Sequence, residues 1–216
     1  MSKIIIIGGH GRVALRLATQ LAKRGDEVTG VFRNPDHESE VAETGAQAQL
    51  GDIESMDFQE ITELLRGQDA VVWAAGAGGG SAQRTYAVDR DAAIRTMDAA
   101  QAAGVNRFVL VSYLRARPGH GVAPDEAFYP YIEAKKAAEE HLRATELDYT
   151  ILAPDYLTSD APTGMIDLIL FPAQETYVSR GDAAAVAATV LAQTSAQRRT
   201  ISFRSGDTPI AEAISD

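Results

Sequence analysis

The sequence predicts an α/β protein: a doubly wound, Rossmann-type parallel sheet in a single domain spanning residues 1–216, with small substrate-side elements toward the C-terminus. Three observations predict it. An apolar, β-branched run, Ile4-Ile5-Ile6-Ile7, leads directly into Gly8-Gly9-His10-Gly11-Arg12-Val13-Ala14 and a helix-patterned segment. A strand buried on both faces needs such a run, and parallel sheets bury both faces. Strands and helices then alternate along the chain, the pattern of right-handed crossovers. Finally, 216 residues with 45% hydrophobic and 23% charged content suit one large core.

Each element has a local reason. The first helix covers about Gly11 to Lys23 and closes at Arg24-Gly25. Glu27–Phe32 reads as the second strand and Ala46–Leu50 as a short third one, ending in Gly51-Asp52. A helix near Phe58–Leu65 ends at Arg66-Gly67, and Ala70–Ala74 forms the fourth strand. A long Ala-rich helix from about Gln83 to Ala103 closes at Gly104. Arg107–Ser112 is the fifth strand, the segment from about Tyr131 to Thr145 is helical, and Tyr149–Leu152 is the sixth strand. The less regular segments Arg115–Tyr129 and Ala153–Glu175 follow the fifth and sixth strands. They fall at the carboxyl edge of the sheet, where ligands bind.

Composition narrows the chemistry. With no Cys, disulfides, thiolate metal sites and cysteine catalysis are excluded, and the four scattered His show no metal-ligand spacing. A net charge of −10 argues against nucleic acid or an anionic membrane as partner. No apolar stretch reaches membrane-spanning length, and Met1-Ser2-Lys3 leads into a strand and not a signal peptide. A cytoplasmic, metal-free protein acting on a small molecule is expected. The Ala-rich helix permits close packing and leaves room for a homodimer.

The glycine loop between strand and helix brings backbone N–H groups close to an anion. Its spacing is G-x-x-G-x-x-A, so Gly8, Gly9, His10, Gly11, Arg12 and Val13 are candidate dinucleotide contacts, with Gly11 expected to face the pyrophosphate. The second strand ends in Arg33, where an NAD site would place an acid for the ribose 2′-hydroxyl. A guanidinium there suits a 2′-phosphate, with Arg12 as second cation, so NADP is the expected cofactor. After the fourth strand, Ala75-Gly76-Ala77-Gly78-Gly79-Gly80 removes side chains where the cofactor crosses the sheet, making Ala74, Ala75 and Gly76 further contacts. Tyr131 and Lys135 lie four apart on one helix face, so Lys135 can reach the ribose and lower the Tyr131 phenol pKa for proton donation to a carbonyl.

Taken together these stretches resemble an atypical short-chain dehydrogenase/reductase, the NAD(P)-binding branch that includes flavin/biliverdin reductase-like and NmrA-like proteins. The matching segments, in family order, are Ile7–Ala14, Gly51-Asp52, Val71–Gly78, Ala103–Val109, Tyr131–Lys135, Leu147–Leu152 and Val178–Ala184. The resemblance implies that Asp52 lies near the adenine and that Ala153-Pro154 follows the sixth strand beside the nicotinamide. It also exposes a departure. Catalytic members end the fifth strand in a Ser pair, whereas this chain reads Val111-Ser112-Tyr113, leaving Ser112 or Tyr113 to supply the missing hydroxyl. The implied activity is NADPH-dependent reduction of a small carbonyl, quinone or flavin-like compound. The alternatives are a non-catalytic NADP(H) sensor and, third, a sugar-nucleotide epimerase or dehydratase. Only about sixty residues follow the sixth strand, which disfavours this last reading.

Overall fold

The apolar run near the start of the chain becomes β1 (Lys3–Ile7), with all four isoleucines buried. A computed structural model describes residues 1–79, 81–170 and 174–215. Among those residues β1 lies inside a nine-stranded sheet with β2 (Glu27–Phe32), β3 (Gln47–Leu50), β4 (Ala70–Trp73), β5 (Arg107–Val111) and β6 (Asp148–Pro154). A separate parallel pair joins β7 (Tyr156–Thr158) to β9 (Tyr177–Ser179), while β8 (Met165–Leu168), β10 (Arg199–Ser205) and β11 (Thr208–Pro209) extend the main sheet. The order is β11-β8-β10-β6-β5-β4-β1-β2-β3. Strands from β3 to β10 run parallel, and β8 and β11 pair antiparallel at the edge. The chain runs outward from β1 to β3, then returns to place β4 on the other side of β1. That reversal opens a crevice at the carboxyl ends of β1 and β4.

Successive side chains of a strand point to opposite faces, and the two cores follow that alternation. Ile4, Ile6, Val72, Val109 and Leu152 pack under α1 (Arg12–Arg24), α7 (Arg180–Ala192) and α8 (Ile210–Ile214). Ile5, Ile7, Val71, Trp73, Phe108 and Leu110 pack under α3 (Phe58–Leu65), α5 (Ala93–Ala103) and α6 (Tyr129–Ala144). Each such fully buried side chain contributes about 1.5–3 kcal/mol. The short α2 (Glu38–Ala42) follows β2, and α3 starts with a capping box between Asp57 and Glu60.

The doubly wound parallel sheet expected from the sequence forms, with three local differences. The Ala-rich helix is not uniform: α4 (Ala82–Thr85) passes into a π-helical stretch, Tyr86–Ala92, before α5. The segment Ala153–Glu175, expected to be irregular, supplies β7 and β8, and its Phe171, Pro172 and Ala173 lie outside the described residues, as does Gly80. Lastly, β6 runs on through Ala153 and Pro154, because β10 pairs alongside it with Ser202 opposite Ala153 and Phe203 opposite Pro154.

Candidate active site

The glycine loop is shaped first by the sheet beneath it. The N–H groups of Gly8 and Gly9 both donate to the Val31 carbonyl, at 3.0 and 2.7 Å. A Cβ on Gly8, which has φ +87°, would stand 2.6 Å from the Ala75 backbone, and one on Gly9 2.7 Å from Gly30 Cα. Only glycine lets the turn lie this close to β2 and to the end of β4. Gly11 is fitted to the loop as well: a Cβ there would stand 3.1 Å from the Gly8 carbonyl oxygen. Its N–H already donates to that oxygen at 2.8 Å. The part of the loop that fits an anion is the start of α1, which has no side-chain cap and no acid in its first turn.

A cleft of about 270 Å³ opens there, lined among others by Gly8, His10, Gly11, Arg33, Asp52, Ala74, Ala75 and Gly76. Eight of the expected cofactor contacts therefore share one cavity. Gly9, Arg12, Val13, Lys135 and Pro154 do not line it; Gly9 faces β2 and Val13 is in the core. The second cation is also different from the expected one. Arg84, carried by α4, replaces Arg12 beside Arg33: its Nε lies 3.2 Å and Arg33 Nη1 3.3 Å from the same oxygen, Glu54 Oε2. Two guanidiniums thus share one carboxylate in a cleft whose other acid is Asp52. The His10 ring stacks on His37 at 3.5 Å, and Asp52 Oδ1 accepts from the Glu54 N–H.

Tyr131 and Lys135 stand one turn apart on α6, with Lys135 Nζ 5.8 Å from the Tyr131 ring centroid. Lys135 is buried; its Nζ lies 3.3 Å from Asp89 Oδ1 and donates to the Val111 carbonyl at 3.2 Å. Burial alone would lower the Lys135 pKa, but Asp89, with Tyr131 and Glu139, outweighs it and raises the pKa, so the ammonium stays charged. Asp89 is itself 1% exposed, and its Oδ2 accepts from the Ala77 N–H at 2.9 Å. The expected lowering of the Tyr131 phenol pKa does not survive as a net effect. Burial raises it, Lys135 pulls it down and Asp89 adds to the rise. The phenol therefore keeps its proton at neutral pH, as a proton donor must.

The two candidates for the missing serine part company. Ser112 donates its hydroxyl to Glu139 Oε1, and Arg143 donates to Glu139 Oε2 at 2.7 Å, so Ser112 is tied to a buried carboxylate later on α6. Burial raises the Glu139 pKa against the opposing pull of Ser112 and Arg143. Tyr113, 5% exposed, instead packs against Tyr131 with ring centroids 5.8 Å apart, and against Phe128 and Tyr156. Its hydroxyl makes no well-formed hydrogen bond, and burial pushes its pKa far up.

A family model described as NAD(P)H-binding matches residues 8–194. The chain belongs to the NAD(P)H-binding family. Among its relatives, the Bacillus subtilis protein YhfK, named an uncharacterized sugar epimerase, is 32% identical over 98% of both chains. A putative NAD-dependent epimerase/dehydratase from Bacillus halodurans superposes with a TM-score of 0.91 at 30% identity, covering 99% of each chain. ChuY, an anaerobillin reductase from Escherichia coli O157:H7, shares the fold at a TM-score of 0.79 and 23% identity, over 95% of this chain and 98% of that one. Among the described residues of this NAD(P)H-binding protein no helix is long and apolar enough to cross a membrane.

Four side chains of the site escaped sequence reasoning: Arg84, Asp89, Glu139 and Tyr156. Asp89 carried a signal. It lies in register with Ala92, Ala93 and Thr96 on a buried helix face, where an unpaired acid is rarely tolerated. Arg84 had none, since only the fold carries α4 back to the end of β2.

Proposed function

We propose that this protein is an NADPH-dependent oxidoreductase that reduces a small carbonyl, quinone or flavin-like compound. The observation that carries the reading is the pair Arg33 and Arg84 facing one shared carboxylate where the second strand ends in the cleft. A 2′-phosphate gives these two guanidiniums a bidentate partner. NADPH, when bound, supplies the hydride; orientation and water exclusion come from the protein. The uncapped first turn of α1 holds the pyrophosphate, and the glycines and alanines after β4 leave room for the cofactor. Tyr131 donates its proton to the substrate oxygen as the carbon is reduced, and solvent returns that proton to the phenolate. Lys135, held by Asp89 and Val111, stabilises the transient phenolate charge. NADPH oxidation followed across quinones, flavins and aldehydes tests the reading. Turnover of at least one class supports it, and none with any class contradicts it.

The second reading, an NADP(H) sensor without turnover, is favoured by Ser112, whose hydroxyl is committed to Glu139. The epimerase names of the Bacillus relatives give a third, in which the cofactor is used without net NADPH consumption.

A further inference from the structure

In a chain with 30 acidic and 20 basic residues, most cations find a carboxylate. Arg24 takes Asp26, Arg115 takes Asp155, Arg143 takes Glu139, and Arg33 and Arg84 share Glu54. Arg12, Arg16 and Arg180 are among those that do not: none of them has a carboxylate within ion-pair distance among the described residues, and what sets them apart is that they are close enough for their like charges to act on Arg180. They are gathered by the fold. Arg12 and Arg16 occupy the first two turns of α1, and Arg16 Nη1 folds back to the Arg12 carbonyl at 2.7 Å. Arg180 opens α7, which packs beside α1, and its Nη1 donates to Ser159 Oγ at 3.2 Å. Burial and then the like charges of Arg12 and Arg16 lower the Arg180 pKa, with no carboxylate acting in the other direction.

Their position relates them to the reaction. Arg12 follows Gly11, which lines the cofactor cleft, but does not line that cleft itself. Arg180 follows β9, whose Tyr177 packs on Tyr156, and Tyr156 packs on Tyr113 beside Tyr131. Arg12 and Arg16 therefore adjoin the glycine loop, and Arg180 follows the strand whose Tyr177 joins the aromatic side chains near the proton donor. Tyr177 and Arg180 are three residues apart, roughly 10 Å of extended chain. We infer that Arg12, Arg16 and Arg180 form an oxyanion site at the mouth of the active site, holding a carboxylate or phosphate arm of the substrate. This rests on the reductase reading above and narrows its substrate to an anionic compound. Guanidinium groups pair with both oxyanions by the same forked geometry.

Titration calorimetry of inorganic phosphate, and in parallel benzoate, tests the site on protein alone and on protein saturated with NADP⁺. At least one anion should bind in both states. The double variant Arg16→Gln/Arg180→Gln should lose at least tenfold in that affinity while NADP⁺ affinity changes less than twofold. Lys23→Gln, which removes one positive charge at the far end of α1, should alter neither, and Arg180→Lys in the native background should retain most anion binding. All these positions are solvent-accessible, and thermal melts verify that the variants fold. Three results overturn the proposal: no anion binds in either state, the double variant binds as the native protein does, or NADP⁺ blocks the anion and itself weakens in the double variant, which assigns the arginines to the cofactor. If NADP⁺ does not bind the native protein at all, the reductase reading fails, and the titration without cofactor still decides the arginine site.

Discussion

The cofactor cleft starts from one β–α–β unit, Gly8 to Arg33, and is completed by Asp52, Ala74–Gly76 and Arg84, whereas the candidate catalytic cluster, which does not line that cleft, collects Asp89, Ser112, Tyr113, Tyr131 and Glu139 from segments far apart in the chain. The first depends on backbone: close approach of Gly8 and Gly9 to the sheet, and the bare first turn of α1. The second depends on buried polar side chains, most of them paired with one another, the Tyr113 hydroxyl being the exception among the described residues. Asp89 holds Lys135, and Glu139 holds Ser112 and Arg143. Damage to the first should therefore appear as lost affinity, and damage to the second as lost rate or lost stability.

The largest separation is expected at Tyr131. Tyr131→Phe removes one oxygen, and turnover on any accepted carbonyl should fall ~10²–10⁴-fold, the usual cost of losing a general acid. Cofactor affinity, measured by calorimetry, should stay within twofold. Full activity in the variant would show that positioning alone, or Tyr113, carries the reaction. Asp89→Ala comes next, because it leaves Lys135 buried without its carboxylate. Breaking a buried pair on one side costs about 3–5 kcal/mol, which for a chain of this size lowers the melting temperature by roughly ten degrees or more. A melt unchanged from the native protein would mean that Lys135 finds another partner.

Those two predictions also mark what could be read in the chain. The sheet, the glycine loop, Arg33 and the Tyr131/Lys135 pair follow from local pattern: an apolar run, a glycine spacing, a strand end, an i,i+4 relation. The fate of Ser112 could not be read, because it turns on Glu139, which a helical spacing presents only once α6 is docked against β5. The same holds for the Tyr131 phenol. Its neighbouring lysine was visible in the sequence, but the burial that outweighs it is a property of the assembled cleft.

Smaller effects sharpen the contrast. Arg33→Ala should erase most of the preference for NADPH over NADH, since losing a charge-assisted pair costs on the order of 1.5–3 kcal/mol, roughly ten- to hundredfold in affinity. Ser112→Ala should change turnover less than tenfold while lowering stability, because its partner is Glu139 and not the substrate. A larger rate loss would return Ser112 to the reaction. The last effect is one of pH. Burial raises the Glu139 pKa above its ordinary 4.5, so its charged form is less favoured in the folded than in the unfolded chain. The stability it contributes is present in acid and is lost as the pH rises through the unfolded and then the folded pKa. Gln at this position does not ionise, so the stability of Glu139→Gln relative to the native protein should improve from pH 4 to pH 7 in urea melts. A flat or opposite trend would place the cost elsewhere.

The proposed oxidoreductase should select NADPH at the end of β2 through Arg33 and Arg84. Titration calorimetry of the native protein with NADPH and NADH under one buffer condition tests it directly. NADPH should bind roughly ten- to hundredfold more tightly; equal affinities, or tighter NADH, would contradict the account.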